Sequence, residues 1–178
     1  MAGTEREIAQ LIKEYCCQTG HGLTIGTVES ATGGEVAKRL TEVPGSSNYY
    51  KGSVIAYSNE IKTNLAGVKK ETLKNFGAVS QETVIEMAQG GRKLLGVDIC
   101  VADTGIAGPA GGTAGKPVGT FYLGLADREE TTSRRYVFQG NRETNRNAAT
   151  EATLQMLERH LQQLLKQCEK DAENKKIS

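Results

Sequence analysis

The sequence predicts an α/β protein, a single-domain three-layer α/β/α sandwich with a mixed sheet. Short β-branched runs alternate with segments of helical apolar spacing, the pattern of helices layered on a sheet. The 178 residues are one domain's worth of chain, enough to bury roughly two-thirds of the unfolded surface without staples. No internal repeat and no linker interrupts the alternation.

The elements follow in order. Ile8, Leu11, Ile12, Tyr15 and Cys16 recur at helical spacing, and Gly20-His21-Gly22 ends that helix. Leu23 to Val28 is short, β-branched and bounded, so it reads as a strand. After Glu29-Ser30-Ala31-Thr32-Gly33-Gly34, a second helix shows one face in Val36, Ala37 and Leu40, and Pro44-Gly45-Ser46-Ser47 breaks it. Ser53 to Tyr57 is a strand, followed by helices at Asn59 to Ala66, Lys69 to Phe76 and Gln81 to Leu95. Val97 to Ala102 is a buried strand, leading to a glycine-rich loop from Gly105 to Gly119. Strands at Thr120 to Ala126 and Arg134 to Phe138 precede a last helix beginning near Arg142. The domain is expected over 1–166. The charged stretch 167–178 lacks apolar spacing and is expected to fray.

Composition excludes several classes. The balance of 22 basic against 21 acidic residues, net +1, supplies no global positive field for a nucleic acid. No apolar run approaches the roughly 18 residues of a membrane span, and the N-terminus has no secretory pattern. A cytoplasmic location and no membrane partner are expected. Cys16 and Cys17 are adjacent while Cys100 and Cys168 stand alone, so no C-x-x-C points to zinc or redox chemistry. Reduced thiols are expected. His21 and His160 are the only histidines, and neither sits in a catalytic-looking context. A histidine triad or multi-histidine metal site is not expected.

Four segments carry chemistry. Ser30 and Thr32 sit between a strand end and a helix start, where unpaired N–H groups suit an oxyanion; ordinary capping would place hydroxyls there too. Tyr57 ends a strand and Lys62 follows five residues later. A lysine whose pKa falls on burial can act as a general base, although a solvated helix lysine fits the same text. Neither S-x-x-K nor G-x-S-x-G occurs, which excludes the penicillin-binding and α/β-hydrolase patterns. Asp103-Thr104-Gly105-Ile106-Ala107-Gly108-Pro109 lets backbone approach a ligand but matches neither a P-loop nor a dinucleotide fingerprint. Arg142 and Arg146, at a strand-to-helix junction, have the fork to grip a phosphate or carboxylate.

In this order the segments resemble the C-terminal domain of the competence-damage-inducible CinA family, whose stand-alone bacterial forms are nicotinamide-nucleotide amidases. The matching text includes Glu29-Ser30-Ala31-Thr32-Gly33-Gly34, Val54-Ile55-Ala56-Tyr57-Ser58-Asn59-Glu60-Ile61-Lys62, Thr104-Gly105-Ile106-Ala107-Gly108-Pro109 and Lys116-Pro117-Val118-Gly119-Thr120, and spans about residues 5 to 165. The family usually has Cys where Ala31 stands and Gly-Asp-Arg where Gly140-Asn141-Arg142 stands; Val28 and Asp103 also replace commoner small or apolar residues. The resemblance implies an amidohydrolase that converts nicotinamide mononucleotide to nicotinic acid mononucleotide and ammonia. It implies Ser30 as nucleophile, neutral Lys62 as base, and Tyr57 as relay or orienter. Thr32, Gly33, Gly34, Ser47, Thr104 and Gly105 are expected to line the substrate pocket, with Arg142 or Arg146 on the substrate's charged end. It implies no cofactor, no metal, a small-molecule partner rather than nucleic acid, and a homo-oligomer, a dimer being favoured. The alternatives are a catalytically silent nucleotide-binding module and an accessory protein of competence or DNA repair.

Overall fold

The computed structural model describes residues 3–177, with side chains through Asn174. The order is α1 (Thr4–Thr19), β1 (Ile25–Glu29), α2 (Glu35–Thr41), a 3-10 turn (Ser46–Asn48), β2 (Tyr50–Ile55), α3 (Asn59–Asn64), α4 (Lys70–Phe76), α5 (Gln81–Leu95), β3 (Ile99–Gly105), β4 (Thr120–Ala126), β5 (Thr131–Val137) and α6 (Arg142–Ile177). The five strands form one sheet in the order β2-β1-β3-β4-β5. β1 runs parallel to β2 and β3, while β4 and β5 are antiparallel additions.

Strand periodicity divides the core in two. On β3, Ile99 and Val101 point into a cluster with α1, α2 and α6, whereas Cys100 and Ala102 point into another with α5, as a period of two requires. α1 contributes Ile8, Leu11 and Ile12, and α6 contributes Leu154, Leu157 and Leu161. Each such side chain adds about 1.5–3 kcal/mol on full burial. Arg39 of α2 ties this layer together by bonding Glu5 of α1 and Glu151 of α6. On the other face α5 lies so close to the sheet that a Cβ at Gly91 would come within 2.2 Å of Val28 Cγ2. Only glycine fits that crossing.

Strand boundaries move relative to the sequence reading. β2 starts at Tyr50 because its backbone pairs with Ile25 of β1, and it stops at Ile55, leaving Tyr57 beyond the strand. β3 extends through Gly105 because antiparallel pairing with β4 carries Asp103, Thr104 and Gly105 into the ladder. The segment read as the start of a loop is thus strand backbone. α6 runs on through the charged stretch to Ile177; Ser178 lies outside the described residues. This stretch has no glycine or proline and is rich in Lys, Glu and Gln, good helix formers that continue a helix without a buried face. Among the described residues no helix is long and apolar enough to cross a membrane.

Candidate active site

The parallel run β2-β1-β3 brings three strand ends to one edge of the sheet, where ligand sites of α/β folds gather. Ser30 is the first residue past β1, and Thr104 and Gly105 end β3. Beyond β2 the chain turns into α3, whose start is capped by Ser58 Oγ accepting from Ile61 N (3.2 Å). Lys62 lies in the last turn of the short helix α3 and is 2 % exposed. Its Nζ is 2.8 Å from Ser30 Oγ and donates to Ala56 O at 2.6 Å. Burial pushes the Lys62 pKa down, and the Asp103 carboxyl opposes the shift. The neutral amine is therefore favoured relative to a solvated lysine. Neutral Lys62 can keep its N–H on Ala56 O and accept the Ser30 proton through its lone pair.

These two residues open onto a cleft of about 180 Å³, lined also by Ala31, Tyr57, Asn59, Ala78, Val79, Thr104, Gly105, Ala107 and Arg142. Thr104 Oγ1 is fixed by donating to Ala78 O (2.7 Å). Arg142, at the start of α6, donates to Gly108 O and to Tyr57 Oη, both at 3.0 Å. Tyr57 is 64 % exposed. Its hydroxyl therefore bonds the guanidinium, and no bond joins it to Ser30 or Lys62.

Several expected pocket residues do other work. Thr32 is buried, with its hydroxyl between Glu29 and Asp103. Gly34 N is occupied by Glu29 Oε2 (2.8 Å), and Gly33 is exposed beside Arg146. Neither glycine lines the cleft. They allow the turn itself, Gly34 having φ +100°. Arg146 is half-buried and donates to Ala31 O (3.1 Å) and Thr32 O (2.6 Å), bracing the Ser30 turn from behind. Of the two arginines, Arg142 is the one that lines the cleft. Ser47 sits exposed in the 3-10 turn before β2, at the opposite end of the sheet, and is not a pocket residue. His160 pairs with Asp127 (2.9 Å) and His21 is exposed; neither lines the cleft. The cysteines are unpaired, and burial pushes the Cys100 thiol up to about 12.

The sequence reading missed two buried carboxyls beneath the Ser30 turn. Asp103 accepts from the N–H groups of Ser30 (3.0 Å), Ala31 (2.9 Å) and Thr32 (3.0 Å). Glu29 accepts from Gly34, Val36 and Ala37 and so satisfies the first turn of α2. The available signal was an acidic residue immediately after each of two predicted apolar strands, Glu29 after Val28 and Asp103 after Ala102, where an unpaired buried charge is costly. Asn59 and Ala78-Val79, which also line the cleft, stand in text that matches the family but were given no site role.

A mixed-sheet α/β domain with a buried serine–lysine pair at converging strand ends defines a class of protein equipped for nucleophilic chemistry without a histidine. The sequence profile of the CinA C-terminal domain matches residues 5–161, and the chain belongs to that family. A CinA-like protein of Endomicrobium trichonymphae is 51% identical over 138 residues, 78% of this chain and 32% of the relative. One from Thermotoga neapolitana is 43% identical over 159 residues, 89% and 37% of the respective chains. The chain thus spans about a third of the length of these curated relatives. Among solved structures it is similar to the competence/damage inducible protein CihA of Agrobacterium tumefaciens, with TM-score 0.80, 36% identity, and 88% and 94% of the two chains covered. It is also similar to the CinA superfamily protein KP700603 of Klebsiella pneumoniae 700603, with TM-score 0.82, 31% identity, and 91% and 99% covered.

Proposed function

We propose that this protein is an amidohydrolase that deamidates nicotinamide mononucleotide. The observation that carries the reading is the 2.8 Å approach of Lys62 Nζ to Ser30 Oγ, with the amine buried. Neutral Lys62 takes the Ser30 proton as Oγ attacks the carboxamide carbon. The resulting ammonium returns the proton to the departing nitrogen, which leaves as ammonia. The Ser30 ester is then hydrolysed by water activated by the same amine. The Ser30 and Ala31 amides are turned onto Asp103, so the oxyanion takes its donor from elsewhere in the cleft lining, which includes the Asn59 side-chain amide. Arg142, held by Gly108 O and Tyr57 Oη, receives the substrate's phosphate. No step calls on a metal or cofactor.

A cytoplasmic homo-oligomer, a dimer being favoured, completes the proposal. The apolar face of α6 is used internally, through Leu154, Leu157 and Leu161, so an interface must lie elsewhere; light scattering at micromolar concentration tests it. The function is tested by ammonia release across a panel of pyridine nucleotides, with nicotinamide mononucleotide expected to be turned over best. Binding of that nucleotide without ammonia release would make the protein a silent nucleotide-binding module instead. A pull-down of competence or repair proteins unaffected by Ser30→Ala would favour an accessory role.

A further inference from the structure

The Ser30 turn rests on two carboxyls that water does not reach: Glu29 is 1 % exposed and Asp103 0 %. Thr32 Oγ1 lies between them, 2.8 Å from Glu29 Oε2 and 2.5 Å from Asp103 Oδ2. A hydroxyl carries one proton and donates to one acceptor. If both carboxyls were ionised, one of these two contacts would join oxygen to oxygen with no proton between them. The carboxyl at that contact must supply its own.

We propose that Asp103 carries this proton, donating from Oδ2 to Thr32 Oγ1 while Thr32 donates on to Glu29, and that the neutral Asp103 is a positioning residue for the Ser30–Lys62 pair. Glu29 is the partner that stays ionised. Both carboxyls accept three N–H groups, but those on Glu29 come from the start of α2, where the backbone field favours negative charge, while those on Asp103 come from the Ser30 turn with no helix behind them. Asp103 has no cation in hydrogen-bond contact. Complete burial, with the Glu29 charge adding, pushes its carboxyl up to about 6. The charged groups around Asp103 are Glu29 from β1 and Lys62 from α3, while Arg146 from α6 is spent on the Ala31 and Thr32 carbonyls. Asp103's charge is what opposes neutralisation of Lys62. A protonated Asp103 leaves burial to act on the lysine unopposed. The meaning of this for a base rests on the function proposed above; the location of the proton does not.

Carbon-13 NMR on protein labelled only at aspartate carboxyls tests it in the unaltered chain. The reporting residues are Asp98, Asp103, Asp127 and Asp171. One carboxyl is expected to remain protonated at about pH 5 and to titrate at about pH 6 or above, against about 3.9 for an ordinary aspartate. Ionisation of all of them below about pH 4.5 would overturn the proposal. The link to the lysine is read on lysine-labelled protein, with the Lys62 signal assigned by its loss in Lys62→Met. Asp103→Asn, neutral like the protonated acid, is expected to leave the Lys62 titration midpoint where the wild type has it, whereas loosened packing alone would raise it. A lowered midpoint would show that Asp103 is charged when Lys62 titrates and would overturn its action through Lys62. Neither measurement needs turnover, so absence of amidase activity would count against the function and not against the shared proton.

Discussion

Lys62 Nζ and Ser30 Oγ stand 2.8 Å apart in a site from which the lysine is almost wholly excluded from water. The contact joins residues 32 positions apart in sequence. It exists because parallel pairing of β1 with β2 brings the end of one strand beside the start of the helix that follows the other.

The pair acts as a unit, so its variants should not add. Ser30→Ala and Lys62→Met are each expected to lower the rate of nicotinamide mononucleotide deamidation by on the order of 10²-fold or more. The double variant should be little worse than either. Steady-state ammonia release measures all three, and a product of the two single losses in the double variant would show independent roles.

Activity should rise with pH and level off below the range of an ordinary lysine, because burial lowers the Lys62 pKa and the neutral amine is the base. Stability carries the same sign. A lysine whose folded pKa lies below its unfolded value binds its proton more tightly when unfolded. Wild type should therefore gain stability relative to Lys62→Met as pH climbs from the folded value toward 10.5. Denaturant titrations of both proteins across that window measure it; a constant difference would mean Lys62 is not perturbed.

Arg142 and Arg146 should separate kinetically. Arg142→Ala is expected to raise KM chiefly, and Tyr57→Phe to add little to it, since the two share one contact (3.0 Å). Arg146→Met removes donors from Ala31 O and Thr32 O. It should lower kcat with little change in KM and cost about 1–3 kcal/mol of stability. Substrate-saturation curves and thermal melts distinguish the two patterns.

The close crossing of α5 over the sheet predicts a packing effect. Gly91→Ala places a methyl against Val28 and Cys100 and should destabilise by about 1–3 kcal/mol, read by chemical denaturation. No change in midpoint would mean that α5 shifts freely.

Much of this architecture is legible in the sequence because periodicity reports burial. The short buried run of β3 and the apolar face of α6 each marked an element that exists. Ser30 and Lys62 were legible through position, one at a strand end and the other on the next helix after a strand. What escaped was set by long-range pairing. Tyr57 looks like a partner of Lys62 when only spacing is visible, yet its ring leaves the strand exposed and its hydroxyl meets Arg142 across 85 residues. Gly33 and Gly34 look like an anion cradle, but a glutamate five residues before Gly34 already holds its amide. Asp103 reads only as a departure from the family's commoner residue because the three amides it holds lie more than 70 residues away. Ser47 matched the family text while sitting at the wrong end of the sheet.

The most direct test compares wild-type and Ser30→Ala protein, both shown to be folded, for ammonia release from nicotinamide mononucleotide under saturating conditions. A covalent route through Ser30 predicts turnover by the wild type and a loss on the order of 10²-fold or more in the variant. Ammonia release by Ser30→Ala near the wild-type rate would contradict it and leave water activated directly by Lys62 as the attacking group.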